Sequence, residues 1–237
     1  MNARIARMAA ILLTMALLVS LSSCQQFFTA SLAGYLARDS YTIPADISVA
    51  DAAELLAGGD ANVAAALVAP LYNATSAAAP GTAAYDEAAS ALVTAVVLSS
   101  DASPAIFSIV EDLGTEDLGT LTQPQIDAAL ATLMSISLTS AESAALVLIS
   151  DDPAAPDGAA PDELYIAAFA LAVDAFNDGD ASEADLDTWL GGGALPGTVD
   201  SDSVNAAMAL LDLAQAADLA SGSTSIFGQL MSGLSFE

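Results

Sequence analysis

The chain contains no histidine and no lysine, a single cysteine (Cys24), a single tryptophan (Trp189) and only 5% aromatic residues among its 237. Each scarcity removes a class of function. Without histidine or lysine, the many serines and threonines lack the usual groups that activate a hydroxyl, so a serine triad cannot be assembled. Soft metal sites built from histidine and cysteine are out of reach too, which leaves only hard cations that accept oxygen ligands. One cysteine excludes a disulfide within the monomer. The shortage of aromatics argues against stacked glycan clefts, and it also disfavours sheet surfaces. Gly191-Gly192-Gly193 is followed by no lysine, so it is expected to end a helix rather than to cradle a phosphate. No catalytic residue and no cofactor is expected.

Alanine and acid are what the sequence has in abundance. The hydrophobic content is 55%, enough to bury a sizeable core, and its alanine-rich character favours close-packed helices. Thirty acidic residues face three arginines, for a formal charge of −27. Such a surface repels phosphate backbones and excludes nucleic-acid binding. It equally excludes electrostatic adhesion to anionic headgroups, which needs basic clusters. Solvation of the acids is the default explanation of their number.

Residues 1–23 have the layout of a secretory signal: Arg4 and Arg7, then an apolar run from Met8 to Val19, then small residues. The run is too short for a permanent span. Leu21-Ser22-Ser23-Cys24 resembles the lipobox of bacterial lipoproteins, in which the cysteine thiol is acylated before cleavage in front of it. The resemblance covers about a tenth of the chain. It implies a mature chain from Cys24 to Glu237, held on a membrane by acyl chains such as palmitate, with more than one chain needed for a stable anchor. Gln25 follows the cysteine where retained inner-membrane lipoproteins commonly carry aspartate, which implies the outer membrane. Cleavage would leave the 30 acids facing Arg38 alone.

Beyond Cys24 no apolar run approaches a second span, so the body is expected to be soluble. Helix starts are marked by Ser48 with Asp51, Thr122 with Gln125, Thr139 with Glu142, and Ser182 with Asp185; Ser103-Pro104 adds a cap followed by a first-turn proline. Apolar spacing then predicts helices at about 27–39, 48–57, 61–78, 83–99, 104–113, 123–138, 140–149, 162–177, 183–190, 203–220 and 224–233. In 122–138 one face carries Ile126, Ala129, Leu130, Leu133 and Ile136. In 82–98 it carries Tyr85, Ala89, Leu92 and Val96, and both segments read as surface helices with a single buried stripe. Leu164 to Phe176 and Val204 to Leu219 are apolar almost all round and are expected at the centre.

The fold class is therefore all-α, one domain, either a multi-helix bundle or a solenoid-like stack of helical hairpins. The second alternative rests on a period of about 40 residues: Asp60, Asp101 and Asp180 each sit in a short turn before a helix, 41 and 79 residues apart.

One loop suggests a cation site. Against the EF-hand pattern, Asp174, Asp178, Asp180, Ser182 and Asp185 fall at ligand positions 1, 5, 7, 9 and 12, with Gly179 at 6, while Phe176 occupies a ligand position and breaks the set. Capping and solvation are the competing role for these residues. Trp189 is expected to pack in the core or a hairpin.

Three functions compete. The first is a lipid-anchored, non-enzymatic scaffold that holds a protein partner in the cell envelope. Next comes a small-molecule or lipid carrier with an apolar pocket between helices, and last a carboxylate-dependent hydrolase. A closed cavity lined by residues such as Phe169, Phe176 and Leu211 distinguishes the carrier from the open groove of a scaffold.

Overall fold

The computed structural model describes residues 43–113, 122–152, 154, 156–190 and 192–221, with the side chains of 110–113 left aside. Cys24, Arg38 and the expected helices at 27–39 and 224–233 lie outside the described residues.

Nine helices and no strand occur among the described residues: α1 (Val49–Leu56), α2 (Ala61–Ala77), α3 (Ala83–Ser99), α4 (Ala102–Leu113), α5 (Gln123–Leu133), α6 (Ser140–Ser150), α7 (Pro161–Asp178), α8 (Glu183–Leu190) and α9 (Ser201–Ser221). All belong to one compact unit that begins at Ile43. The chain is all-α, and the loop between α6 and α7 is not a domain boundary.

The starts follow the capping chemistry in the sequence. Ser48 accepts the Asp51 N–H at 3.1 Å, and Gln125 Oε1 accepts the Thr122 N–H at 2.9 Å. Ser182 accepts the Asp185 N–H at 3.3 Å, while Asp185 Oδ2 accepts the Ser182 N–H at 2.9 Å. Thr139 and Glu142 form the same reciprocal box, at 2.7 and 3.3 Å. These bonds satisfy first-turn donors that have no partner within the helix. Asp60 caps α2 by accepting from Asn62 and Val63.

One start was misplaced. Helix α4 begins at Ala102, so Ser103 lies within it and is not its cap. Pro104 is tolerated there because the N–H it lacks is one of the four that a helix start leaves unbonded.

The two hairpin-like pairs α2/α3 and α7/α9 make the most extensive packing. They are joined by contacts that skip along the chain: α2 meets α6, α3 meets α7, and α6 meets α9. A linear stack confines each repeat to its neighbours, so this arrangement is the bundle of the two alternatives.

Helix α7 is the axis. Leu164, Tyr165, Leu171 and Phe176 are fully buried, and α3, α4, α6 and α9 surround it. That matches its all-round apolar sequence. Helix α3 is also central, against expectation: besides Tyr85, Ala89, Leu92 and Val96, it buries Ala88, Val93, Ala95 and Val97. Its alanines serve as a second packing face, which a pattern of large residues does not register. Helix α9 is more peripheral than expected. Its buried residues end at Ala214, and Leu219 is 84% exposed.

Candidate functional site

The EF-hand-like segment does not converge on a common centre. Asp174 is buried, and its two oxygens are committed inside the bundle: Oδ1 accepts the Leu138 N–H at 2.8 Å and Oδ2 the Ser143 hydroxyl at 2.7 Å. Asn177, one turn on, donates to the carbonyls of Met134 and Ile136 at 3.2 and 2.7 Å. These bonds explain why α5 ends at Leu133 and not at the expected 138. Polar side chains of α7 capture the backbone of 134–138 and hold it out of helical form.

The rest of the segment is a helix terminus. The Ala181 N–H bonds the Phe176 carbonyl at 3.0 Å and the Asp180 N–H bonds that of Asn177 at 3.1 Å, a Schellman closure with Asp180 in the left-handed region at φ 51°. Gly179 itself is not left-handed. It is glycine because a Cβ would stand 2.8 Å from the Thr198 carbonyl oxygen of the loop laid against it. Asp178 and Asp180 are exposed. Ser182 and Asp185 are brought together, as the cap of α8, and the Ser182 backbone and hydroxyl donors hold the Asp185 carboxyl below its ordinary range. No cluster of three or more histidine, cysteine or acidic side chains arranged for a metal ion occurs among the described residues.

Trp189 packs on Phe176, ring centroids 5.4 Å apart and planes tilted by 47°. The glycine run closes α8 behind it, with Gly192 at φ 84° and the Gly193 N–H on the Thr188 carbonyl. Beside this pair lies an apolar recess of about 280 Å³ between α7, α8 and α9, lined by Phe169, Trp189, Met208 and Leu211 among others. Two of the three residues named from the sequence, Phe169 and Leu211, line it; Phe176 lies buried beneath Trp189. The recess opens to solvent, since Met208 on its wall is 40% exposed.

A second, larger cleft of about 500 Å³ was not foreseen. It lies between α1, α3 and the loop at 157–158, with Ala53, Leu56 and Ala91 giving apolar surface and Asp86, Glu87 and Asp157 giving carboxylates. Thr94 on its wall donates to Glu163 Oε2 at 2.8 Å and to the Ser90 carbonyl at 3.2 Å. Burial pushes the Glu163 carboxyl up from its ordinary range, and the Thr94 hydroxyl partly offsets this. Its members are spread over residues 53–158, which no local motif would reveal. The one signal in the sequence is the polar set Glu87, Ser90 and Thr94, which fall at helical spacing on α3 away from the stripe of Tyr85, Ala89, Leu92 and Val96.

No described helix is by itself long and apolar enough to cross a membrane. The α3/α4 pair approaches the required length only across a bend of 70°, and α3 is buried inside the bundle.

Fold and clefts together define, among the described residues, an acidic all-α bundle with open surface recesses. No protein-family model, no curated protein and no solved structure matches the chain.

Proposed function

We propose that the protein is an envelope lipoprotein whose bundle, tethered through lipid on Cys24, serves as a non-enzymatic scaffold for a protein partner. The observation that carries the scaffold over the carrier is the openness of the apolar recess. Phe169, Trp189, Met208 and Leu211 line a concavity that reaches solvent, where a carrier of apolar molecules encloses its ligand. At about 280 Å³ it stands at the lower end of ordinary small-molecule sites, roughly 300–1,000 Å³, and suits one or two apolar side chains. The lipobox supports the tether, and the acid-rich composition supports a body that stays off anionic headgroups.

The test is site-specific photocrosslinking of the full chain in its native envelope. A crosslinking residue in place of Met208 should yield a discrete protein adduct, and one in place of the exposed Asp127 on α5 should not. Equal yields at both positions, or none at either, would overturn the scaffold reading.

A further inference from the structure

Where glycine follows aspartate, the glycine amide can react with the aspartate carboxyl, because no Cβ shields its nitrogen or restrains its backbone. The chain has two such pairs, Asp157-Gly158 and Asp178-Gly179, and both carboxylates are exposed. The two glycine nitrogens differ. The Gly179 N–H bonds the Ala175 carbonyl at 3.2 Å where the last turn of α7 closes. Its Cα is pinned as well, since the Thr198 carbonyl oxygen stands 2.8 Å from where a Cβ would be. By contrast, the Gly158 N–H bonds no acceptor among the described residues. It lies inside the turn from Pro156 to Ala159, which is closed by the Ala159 N–H on the Pro156 carbonyl at 3.1 Å. Gly158 has a φ of 92°, the value of the third residue in a type II turn, and the N–H of that residue takes no part in the closing bond. Nor is it crowded: the nearest atom to a Cβ there would be the Ser90 hydroxyl, 3.7 Å away.

We propose that Asp157 is a site of spontaneous covalent modification, isomerising to isoaspartate through a succinimide, and that the fold protects Asp178 from the same reaction. The Gly158 amide nitrogen attacks Cγ of the Asp157 carboxyl in its neutral form. The N–Cγ bond forms, the Cγ–OH bond breaks, and the amide proton leaves with the hydroxyl as water. Water then adds to either carbonyl of the ring. At Cγ it restores aspartate. At the Asp157 backbone carbonyl it breaks the bond from that carbon to the Gly158 nitrogen, so the chain runs on through Cβ and Cγ and the former backbone carbonyl becomes the free carboxylate. One water leaves and one is taken up, so the mass and the number of carboxylates are unchanged and no oxidant is needed. The product adds one carbon to the backbone of the turn between α6 and α7, whose end residues Pro156 and Ala159 are buried.

The experiment ages the full chain in mildly acidic buffer below its melting transition and digests it with pepsin. Electron-transfer fragmentation of the peptides then locates isoaspartate, whose Cα–Cβ bond lies in the main chain and is cleaved. Isoaspartate at 157 should exceed that at 178 by at least about tenfold, because reaction at Gly179 waits for the end of α7 to open. In a chain unfolded in urea the two positions should react within about twofold of each other, since the contacts that distinguish them are gone. Asp157→Glu keeps the carboxylate but would have to close a six-membered ring. That variant should give no isomer at 157 and leave the yield at 178 unchanged. Equal accumulation at both positions in the folded chain, no isoaspartate at 157 where the unfolded chain forms it, or a tenfold preference for 157 that persists in urea would each overturn the assignment.

Discussion

Asp174 on α7 holds the backbone N–H of Leu138 at 2.8 Å with one oxygen and the Ser143 hydroxyl of α6 at 2.7 Å with the other. A single buried carboxylate thus ties both the segment after α5 and the first turn of α6 to α7. Asp174→Ala should lower unfolding free energy by about 1–3 kcal/mol, because it leaves a partly buried N–H without an acceptor. Asp174→Asn, which keeps one acceptor oxygen, should cost less. Urea unfolding of both variants checks the order, and an unchanged midpoint for the alanine variant would contradict it.

The end of α7 gives a paired prediction with opposite signs. Gly179→Ala brings a Cβ to 2.8 Å from the Thr198 carbonyl and should destabilise by about 1–3 kcal/mol, as overpacking does. Asp180→Gly relieves a left-handed residue at φ 51° and should stabilise by several tenths of a kcal/mol up to about 1. If an EF-hand turn governed this loop, its required glycine would be Gly179 and the preference would follow that position. Thermal melts of the two variants decide.

Alkaline stability should depend on Tyr85. Burial first, and the neighbouring Asp152 carboxylate next, push its phenol up to about 12 from an ordinary value of 10.0. The folded state therefore keeps a proton that the unfolded chain releases earlier. The stability this represents is complete below 10.0 and is lost as pH rises through about 12. Urea midpoints measured across that window should fall steeply for the wild type and less so for Tyr85→Phe. Burial raises the Tyr165 phenol as well, so a residual fall should persist in the variant.

The helices and their starts were readable because capping is local. Thr139 and Glu142, or Ser182 and Asp185, are three residues apart and need no tertiary context to bond. Tertiary capture of backbone was not readable. The reach of Asp174 and Asn177 across 36 to 43 residues decides the end of α5, and nothing in the apolar spacing of 123–138 announces it. The same limit applies to centrality. Helix α3 sits in the core through Ala88, Val93 and Ala95 on a face that appeared merely neutral, whereas α9 shows the wider apolar pattern and ends in exposed Leu219. Of the two concave sites, the apolar one was partly legible through Phe169 and Leu211, large residues on helices expected to meet. The acidic cleft draws on three separate segments and becomes visible only once they are folded together.

The proposed tether acts through one atom, the Cys24 sulfur, and the most direct measurement is lipid incorporation at that atom. Cells expressing the full chain and its Cys24→Ala variant are labelled with an alkyne fatty acid and separated into membrane and soluble fractions. The wild-type chain should carry the label, sediment with membranes and begin at Cys24 by mass spectrometry, and the variant should carry none and lose its membrane association. A variant that still incorporates the label and sediments with membranes, or a wild-type chain with an unmodified Cys24, would contradict the account.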